Sequence, residues 1–390
     1  MLIFVAVRAS QTKMAKRVIV GMSAGVDSSM AAAILKEQGY DVVGVFLHFW
    51  KEPGQNQALE NKCCSLESQQ DARKVAQILG IPFYVVKVAK EFKKEVVDNF
   101  LKETKAGRTP NPCVVCNKKI KFNFLFKKML EIKADYVATG HYAKIDKIGG
   151  KYHLYPACDS EKDQTYFLYN LSQKQLGKIL FPIGNYKKAE VRKMAEKKKL
   201  PVFNKKESQN LCFTWEKSPS EFIKRNINLS SGDIITTEGP PRVDAQGVLR
   251  VEAGKKIGIH EGLELYTIGQ RKGVNIGGTG PYYVVGRDFK KNQLIVTNDE
   301  NDKDICKKKM LVEITNWTTG KPKFPLEIKV KIRYRHPQVR CILKKEQVTN
   351  GKEKGIIEVE FPEPQKAVTP GQSAVFYGDS GEVLGGGIIN

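Results

Sequence analysis

Two cysteine-bearing segments contain the residues best suited to covalent chemistry. In "GRTPNPCVVCNKKIKF", residues 107–122, Cys113 and Cys116 stand three positions apart where a proline-rich loop passes into a predicted helix. The basic residues around the pair are Arg108, Lys118 and Lys119. Thiols near a helix N-terminus and basic side chains have lowered pKa values, which favours the nucleophilic thiolate. The pair is therefore a candidate for nucleophilic catalysis.

A C-x-x-C pair is also half of a structural zinc site, which is the alternative reading of this segment. A tetrahedral site needs two more ligands, and the sequence contains no second C-x-x-C and no H-x₃₋₅-H. The adjacent Cys63 and Cys64 could in principle supply them, although neighbouring cysteines rarely aim at one metal. Cys212, in "ESQNLCFTW", would by itself be interpreted as a small buried apolar residue.

A Gly- and Ser-rich loop in "VIVGMSAGVDSSMAAAILKEQG", residues 18–39, predicts a phosphate site. A strand, the loop and a helix in succession bring backbone N–H groups and the positive end of a helix dipole to one point. Gly25 permits close backbone approach, and the nearby serines add hydroxyl groups. Asp27 would repel a bare phosphate but suits a Mg²⁺ ion that bridges phosphates. The spacing matches neither G-x-x-x-x-G-K-[ST] nor G-x-G-x-x-G, which disfavours kinase-like P-loops and dinucleotide folds; an ordinary βα turn is the alternative.

The elements that must position these residues alternate along the first half of the chain. Predicted strands are 18–22, 41–49, "IPFYVVKV" and "ADYVATG". Predicted helices are 30–38, "QQDARKVAQIL", "KEFKKEVVDNFLKET", "CNKKIKFNFLFKKMLEIK", "DQTYFLYNLSQKQLGKIL" and "KKAEVRKMAEKKKL". A hairpin is predicted to turn at Gly149 and Gly150. This alternation predicts the α/β class, with a doubly wound parallel sheet and helices on both faces.

The second half has a different texture. Gly and Pro become frequent from about residue 217, and short alternating runs typical of a small β-barrel dominate from about 286. We therefore predict three domains: a catalytic domain at 1–216, a small central domain at 217–285 and a C-terminal β-barrel at 286–390.

Charge and composition narrow the class of partner. Lys and Arg number 65 against 42 Asp and Glu, a formal net charge of +23 that is spread along the chain. An excess of this kind favours a polyanionic partner, although solvated lysines are the alternative. No apolar run approaches the roughly 20 residues of a membrane-spanning helix, so no membrane partner is expected. The eight cysteines follow no secretion signal, which predicts reduced thiols and a cytoplasmic protein; the opening residues, about 1–13, are interpreted as a ragged start rather than a targeting peptide.

These segments together resemble a known family. "SAGVDSS" is similar to the SGGVDSS signature of the PP-loop ATP pyrophosphatases, with Ala24 where the signature usually has Gly. The wider set, in order, resembles the tRNA-specific 2-thiouridylases from residue 17 to 390: GMSAGVDSS, CCSLESQQDARKVA, GRTPNPCVVCNKKIKF, ATGHYA, KDQTYFL, FPIGNYKKAEVRKMA, ESQNLCF, GIHEGLELYTIGQRKGVNIGG, KIRYRHP and TPGQSAVFYG. The resemblance implies ATP-dependent exchange of O2 of the wobble uridine of tRNA for sulfur.

The resemblance also implies residue roles. The residues implied to bind ATP with Mg²⁺ are Gly21, Met22, Ser23, Ala24, Gly25, Val26, Asp27 and Ser28, with Leu47 and Gly140 on the adenosine side. Those implied to lie against the target base are Asn111, Pro112 and Cys113, and the implied tRNA contacts are His141, Lys162, Asp163, Gln164, Arg333, Tyr334 and Gln372. Cys116 is implied to be the nucleophile and Cys212 the persulfide carrier, loaded by a sulfur-relay protein or a cysteine desulfurase.

Three alternatives stay open at this stage. Many members of the family have Asp where this chain has Cys113, so Cys113, Cys116 and Cys212 could converge on a [4Fe–4S] cluster that delivers sulfur instead. A PP-loop ligase that adenylates a small molecule is a second alternative, and a tRNA-binding protein without catalysis is a third. In "KIRYRHP", Arg333 and Arg335 are predicted on one strand face with Tyr334 opposite, available for phosphate contact or base stacking.

Overall fold

The computed structural model describes most of the chain. The described residues are 15–52, 65–205, 211–214, 218–237, 242–243, 249–250, 254–274, 276, 281–348 and 355–390. The opening segment and the pair Cys63 and Cys64 lie outside them. Across these ranges no helix is both long enough and apolar enough to cross a membrane.

The N-terminal domain alternates strands and helices. Its strands are β1 Arg17–Gly21, β2 Asp41–His48, β3 Phe83–Lys87, β4 Tyr136–Thr139, β5 Ala143–Ile148, β6 Lys151–Pro156 and β7 Ile179–Leu180. Its helices are α1 Val26–Glu37, α2 Leu66–Leu79, α3 Ala89–Phe92, α4 Asp98–Lys105, α5 Pro112–Cys116, α6 Phe122–Glu131, α7 Gln173–Leu176 and α8 Lys188–Lys197. A widened π-type turn joins α3 to α4 at Lys93–Val97, and another joins α5 to α6 at Asn117–Lys121.

Five parallel strands form the sheet of this domain, in the order β3-β2-β1-β4-β7. The inner strands β1, β2 and β4 are apolar on both faces because helices cover both. Ile19 and Val45 pack with the helices from α3 to α6, whereas Val18 and Val20 pack with α1, α2 and α8. The prediction of a doubly wound parallel sheet is confirmed.

The predicted hairpin is also confirmed. Strands β5 and β6 pair antiparallel and turn at Gly149 and Gly150, whose φ angles are 56° and 80°. The segment after the hairpin, predicted as one long helix, instead contains a short 3₁₀ turn at Thr165–Phe167 and the four-residue helix α7. A continuous helix cannot pass through Ser172, because this residue has an extended backbone and caps the N-terminus of α7. Its side chain accepts a hydrogen bond from the backbone N–H of Gln175.

The central domain is a small sheet domain. Its elements are α9 Pro219–Asn226, β8 Gly232–Thr236, β9 Arg242–Val243, β10 Leu249–Arg250, β11 Lys256–His260, β12 Tyr283–Asp288 and β13 Gln293–Thr297. The main sheet has the order β11-β8-β13-β12, with β13 parallel to β8. Because β12 and β13 belong to this sheet, it continues past residue 285, where the sequence predicted the boundary. We propose that the boundary lies between Thr297 and Cys306.

The C-terminal domain is a closed β-barrel. Its strands are β14 Cys306–Trp317, β15 Leu326–Lys331, β16 Val339–Val348, β17 Gly355–Lys366, β18 Ser373–Tyr377 and β19 Val383–Ile389, and pairing of β14 with β19 closes it. Val383 also pairs with Leu154, so the β5–β6 hairpin of the first domain extends the barrel sheet. The prediction of a strand through Arg333 to Arg335 is wrong: β15 ends at Lys331, and these residues form a turn closed by the His336 N–H on the Arg333 carbonyl at 3.0 Å.

The short segment 107–109 precedes α5 in the first domain and contacts both other domains. The Arg287 guanidinium of the central domain donates to the Gly107 carbonyl at 2.5 Å. From the barrel, the Pro370 carbonyl accepts from the Thr109 N–H at 2.8 Å, and the Gln372 side chain donates to the Thr109 carbonyl at 2.9 Å. The entry to the cysteine-bearing helix is therefore held by both other domains.

Candidate active site

A cavity of about 370 Å³ lies at the carboxyl ends of the parallel strands. This is the edge where α/β sheets bind ligands. Its walls include the loop between β1 and α1, the helix that begins at Pro112, residues 211–213 and the ends of β2 and β4. The two sets of chemically interesting residues singled out from the sequence, the phosphate loop and the thiols, therefore line one cavity.

The loop between β1 and α1 is closed by a serine. The Ser28 hydroxyl accepts from the Ser23 N–H at 3.1 Å and donates to the Gly25 carbonyl at 3.1 Å. The first N–H groups of α1 have no partner within the helix, so they remain suited to binding an anion. Gly140 packs against the same turn, and a Cβ at this position would lie 2.5 Å from the backbone nitrogen of Ser28. Only glycine fits there.

Most residues predicted to bind ATP line the cavity: Gly21, Met22, Ser23, Gly25, Asp27, Ser28, Leu47 and Gly140. Ala24 and Val26 do not, because their side chains are 1% and 3% exposed and pack in the core with α1. Ala24 has φ 60°, in the left-handed region that favours glycine. Because the Ala24 methyl group is buried in the core, it does not narrow the loop. The replacement of the usual Gly by Ala instead adds backbone strain at this φ angle.

Asp27 has partners that the sequence did not indicate. The Lys188 ammonium donates to both of its carboxylate oxygens at 2.8 and 2.7 Å, and the Tyr142 hydroxyl donates to Oδ1 at 2.9 Å. Lys188 opens α8 and is only 8% exposed. The carboxylate is therefore neutralised in the structure, and it offers oxygen ligands of the kind that Mg²⁺ prefers.

The cysteine-bearing helix begins with a well-defined cap. Asn111 accepts from the Val114 N–H at 3.3 Å, and Pro112 takes the first helical position, where it needs no hydrogen-bond donor. Cys113 is exposed, Cys116 is 7% exposed and Cys212 is half-buried. All three line the cavity as thiols.

The thiols do not assemble a metal site. Among the described residues, which include these three cysteines, no three His, Cys, Asp or Glu side chains come together as a set of metal ligands. A [4Fe–4S] cluster held by Cys113, Cys116 and Cys212 is thus not shown, and the chemistry below uses these residues as thiols.

Lys121 was missed by sequence reasoning, which pointed to Lys118 and Lys119 instead. It is the one Lys or Arg among the described residues that line the cavity. The π-type turn Asn117–Lys121 belongs to the same helical stretch as Cys113, and the i, i+4 spacing from Cys113 through Asn117 to Lys121 is a signal that could have found it. Single π-type turns within α-helices are frequent at functional sites.

His141 holds the Lys121 ammonium. Its Nε2 lies 3.4 Å from Lys121 Nζ and its Nδ1 lies 2.7 Å from Thr139 Oγ1. Burial, and then the Lys121 charge, holds the pKa of His141 well below its usual range. A neutral His141 accepts from Lys121 through Nε2 and so carries its proton on Nδ1.

The residues predicted to contact tRNA divide into two groups. Pro112, Cys113, His141 and Gln164 line the cavity, whereas Asn111, Lys162, Asp163, Arg333, Tyr334 and Gln372 do not. Members of the second group make contacts within the fold, among them the helix cap of Asn111 and the hydrogen bond from the Arg333 guanidinium to the Lys366 carbonyl at 2.9 Å. Asp163, 5% exposed, accepts from the Thr165 N–H at 3.2 Å, Gln372 holds segment 107–109, and the Tyr334 ring lies 4.5 Å from that of Phe167. Their roles as tRNA contacts stay predictions.

Comparison with family models gives three matches in chain order. Residues 16–216 match a model described as the tRNA methyl transferase HUP domain. Residues 220–298 match the tRNA methyl transferase PRC-barrel domain, and residues 307–389 match the aminomethyltransferase beta-barrel domain. The three matches follow the N-terminal α/β part, the central part and the C-terminal barrel of the fold.

Similar curated proteins cover almost the whole chain. The tRNA-specific 2-thiouridylase MnmA of Geobacillus thermodenitrificans is 41% identical over 376 residues, which is 96% of this chain and 94% of that protein. The protein of the same name from Halothermothrix orenii is 43% identical over 375 residues, 96% of this chain and 98% of that one. A solved 4-thiouridine synthetase–RNA complex with bound ATP covers 54% of this chain and 50% of that one at 15% identity, with a TM-score of 0.32, a similarity too weak to build on.

Proposed function

Since the chain belongs to the tRNA-specific 2-thiouridylase family, we propose that it uses ATP to replace O2 of the wobble uridine of tRNA with sulfur. The observation that carries the proposal is the shared cavity, in which the phosphate loop and the thiols of Cys116 and Cys212 face the same space. The small-molecule ligase alternative has no support among these relatives, which are named for tRNA.

The phosphate loop serves the first step. Uridine O2 is a poor leaving group. It attacks the α-phosphate of ATP, the bond from that phosphorus to the oxygen bridging the β-phosphate breaks, and pyrophosphate leaves. The resulting adenylate can then lose AMP. The N–H groups at the start of α1, with Ser23 and Ser28, would hold the phosphates. Mg²⁺, where bound, would be held by Asp27 and would neutralise charge on the departing pyrophosphate.

The thiols serve the second step. The terminal sulfur of a Cys212 persulfide attacks C2 of the adenylated uridine, and AMP leaves with the C2–O2 electron pair. The Cys116 thiolate then attacks Cys212 Sγ, and the sulfur–sulfur bond breaks with its electron pair on the sulfur now bonded to C2. The products are 2-thiouridine, AMP and a disulfide between Cys116 and Cys212. If the Cys116 thiolate instead attacks Cys212 Sγ before C2 is attacked, sulfide leaves as the free anion. The sulfide then attacks C2 and AMP departs with the C2–O2 electron pair, so the same disulfide remains.

Lys121 suits both steps because charge develops in each. Adenylation and departure of AMP spread negative charge over phosphate oxygens, and a fixed ammonium group stabilises such charge. His141 keeps the ammonium in place without adding a charge of its own, since its ring is neutral.

The partners follow from charge and from the persulfide. A net charge of +23 suits a large polyanion, and the tRNA would approach the side of the cavity where Cys113 is exposed. A sulfur-relay protein or a cysteine desulfurase would load Cys212, which is half-buried at the cavity and hence reachable before the tRNA covers it.

The test is a mercury-containing acrylamide gel of tRNA after incubation with ATP and a persulfide donor. We expect retarded tRNA with the parent protein and with Cys158→Ser, a control in which an exposed thiol outside the cavity is removed. We expect no retardation with Cys116→Ser or Cys212→Ser, while tRNA-dependent pyrophosphate release persists in both. Efficient thiolation by Cys212→Ser would refute the carrier role.

A further inference from the structure

We propose that Cys113 is an exit thiol, which removes the disulfide formed between Cys116 and Cys212 and presents it at the surface to an external dithiol protein. The inference rests on the proposed function, since both routes of sulfur transfer above end in that disulfide. Each turnover oxidises two thiols, and the next Cys212 persulfide cannot be loaded until two electrons are returned.

The three thiols differ in how accessible they are to a protein reductant. Cys116 is 7% exposed, and Cys212 is half-buried against the same apolar cluster, beside Phe213, which is 1% exposed. A protein reductant must bring its own thiolate in line with a disulfide sulfur, which needs room at that sulfur. Bonding to the buried Cys116 draws Cys212 Sγ inward, so the disulfide offers a protein reductant less room than the Cys212 thiol offers the sulfur donor. Cys113 is exposed and lines the same cavity, so it connects the buried pair to solvent.

The helix puts Cys113 within reach of Cys116. The two residues are at i and i+3 of α5, and residues so spaced share a helix face with Cβ atoms about 5–6 Å apart. A disulfide requires about 3.5–4.5 Å, a difference that a small adjustment of the first turn closes. C-x-x-C pairs at helix N-termini form such disulfides because the helix end favours the outer thiolate.

The exchange conserves electrons and bonds. The Cys113 thiolate attacks Cys116 Sγ, the bond between Cys116 and Cys212 breaks, and its electron pair leaves on the Cys212 thiolate. A disulfide between Cys113 and Cys116 results, and Cys212 is ready for a new sulfur. One thiolate of the external dithiol then attacks Cys113 Sγ, and its second thiol resolves the mixed disulfide, which oxidises the external protein and returns both cysteines to thiols.

The first experiment compares two reductants for each protein. Steady-state thiolation is measured with thioredoxin, thioredoxin reductase and NADPH, and again with dithiothreitol, which is small enough to enter the cavity. We expect the thioredoxin-to-dithiothreitol rate ratio of Cys113→Ser to be at least tenfold below that of the parent, and that of Cys158→Ser to equal the parent. Both rates are measured at limiting reductant, where re-reduction sets the turnover rate, so that a loss in the chemical steps of Cys113→Ser does not determine the ratio. A Cys113→Ser ratio equal to that of the parent would overturn the proposal.

The second experiment traps the disulfide. After one turnover without reductant, the protein is alkylated with N-ethylmaleimide and its peptides are mapped under non-reducing conditions. We expect a Cys113–Cys116 linkage in the parent and a Cys116–Cys212 linkage in Cys113→Ser. A parent protein that holds only the Cys116–Cys212 linkage would contradict the exit role. Failure of the parent to make any 2-thiouridine in that turnover would instead overturn the proposed function.

Discussion

The ammonium group of Lys188 spans both carboxylate oxygens of Asp27, at 2.8 and 2.7 Å, although the two residues are 161 positions apart. Asp27 sits in the first turn of the phosphate-loop helix, where an uncompensated carboxylate would repel the ligand that the loop is built to hold. Lys188 is nearly buried, with 10% of its side chain exposed, so solvent screens this pair little on the lysine side. The pair keeps an acidic residue available for a metal without a net negative charge in the loop.

Removal of that lysine should weaken ATP binding. In Lys188→Met the Asp27 carboxylate is left beside the phosphates with only the Tyr142 hydroxyl as a partner. We expect about a tenfold weaker affinity for a non-hydrolysable ATP analogue, equivalent to about 1.4 kcal/mol. Added Mg²⁺ should recover part of the loss because the metal supplies the missing positive charge. Isothermal titration at low and high Mg²⁺ measures both effects.

The matched control for this change is Lys187→Met, which removes the same charge one position earlier on an exposed side chain. It should bind the analogue as the parent does. Equal affinities for Lys188→Met and the parent at both Mg²⁺ concentrations would show that the pair has no part in ATP binding.

Lys121 should matter for rate more than for affinity. In Lys121→Met the cavity loses the one cation that its described lining contains. Loss of a single charge-stabilising donor from an active site typically costs a hundredfold or more in rate. We expect tRNA-dependent pyrophosphate release to fall by about that factor, with Lys121→Arg retaining part of the activity. The exposed Lys119→Met is the control, and a rate for Lys121→Met within twofold of the parent would exclude the role.

Local sequence signals were sufficient for the parts of the site that are local. The phosphate loop, the capped start at Asn111 and Pro112 and the i, i+3 cysteines are each encoded within a dozen residues. Strand and helix alternation likewise predicted the parallel sheet, since each element has its own apolar period. The partners of Asp27 depend on contacts between distant segments, which no local pattern reports. Lys121 has a local signal in its i, i+4 spacing from Asn117, but only the fold shows that this helix face lines the cavity.

Tertiary contacts also overrode local preference where the domains meet. Tyr166 and Tyr169 lie in the segment that was predicted to form one long helix. In the structure the Tyr166 hydroxyl donates to the Ser373 carbonyl at 2.8 Å, and the Tyr169 hydroxyl lies 3.2 Å from Ser373 Oγ. Both rings are buried against the barrel rather than on one side of a helix. An apolar period cannot distinguish packing within a domain from packing against the next one.

Gln372 offers a test between a contact within the fold and a contact with tRNA. Gln372→Ala removes the hydrogen bond to the Thr109 carbonyl, so we expect the free energy of unfolding to fall by about 1 kcal/mol. Because segment 107–109 leads into α5, alkylation of Cys113 by iodoacetamide should also change in rate without tRNA. The control is Gln365→Ala, a partly exposed glutamine on the barrel. Unchanged stability and alkylation together with weaker tRNA binding would instead assign Gln372 to the tRNA.

His141 should make stability depend on pH below about 6.5. Burial lowers its pKa in the folded protein, so the unfolded chain takes up a proton first as the pH falls through the ordinary histidine value. This contribution to stability is therefore present above about pH 6.5 and lost below it, by up to about 1.4 kcal/mol per pH unit. The free energy of unfolding, measured with urea at several pH values between 6.5 and 5, should fall less steeply with decreasing pH for His141→Asn than for the parent. Parallel slopes would contradict a buried neutral imidazole.

Ala24 provides the most direct test of backbone strain in the phosphate loop. Its φ of 60° costs an alanine about 1 kcal/mol relative to glycine, while its buried methyl group contributes about 0.8 kcal/mol. These terms nearly cancel, so Ala24→Gly should unfold within about 1 kcal/mol of the parent and release pyrophosphate at a similar rate. Ala24→Val should lose about 2 kcal/mol or more, because a β-branched residue is strained at positive φ and the surrounding core is full. Chemical denaturation measures both variants, and a valine variant as stable as the parent would show that the loop has a different backbone conformation.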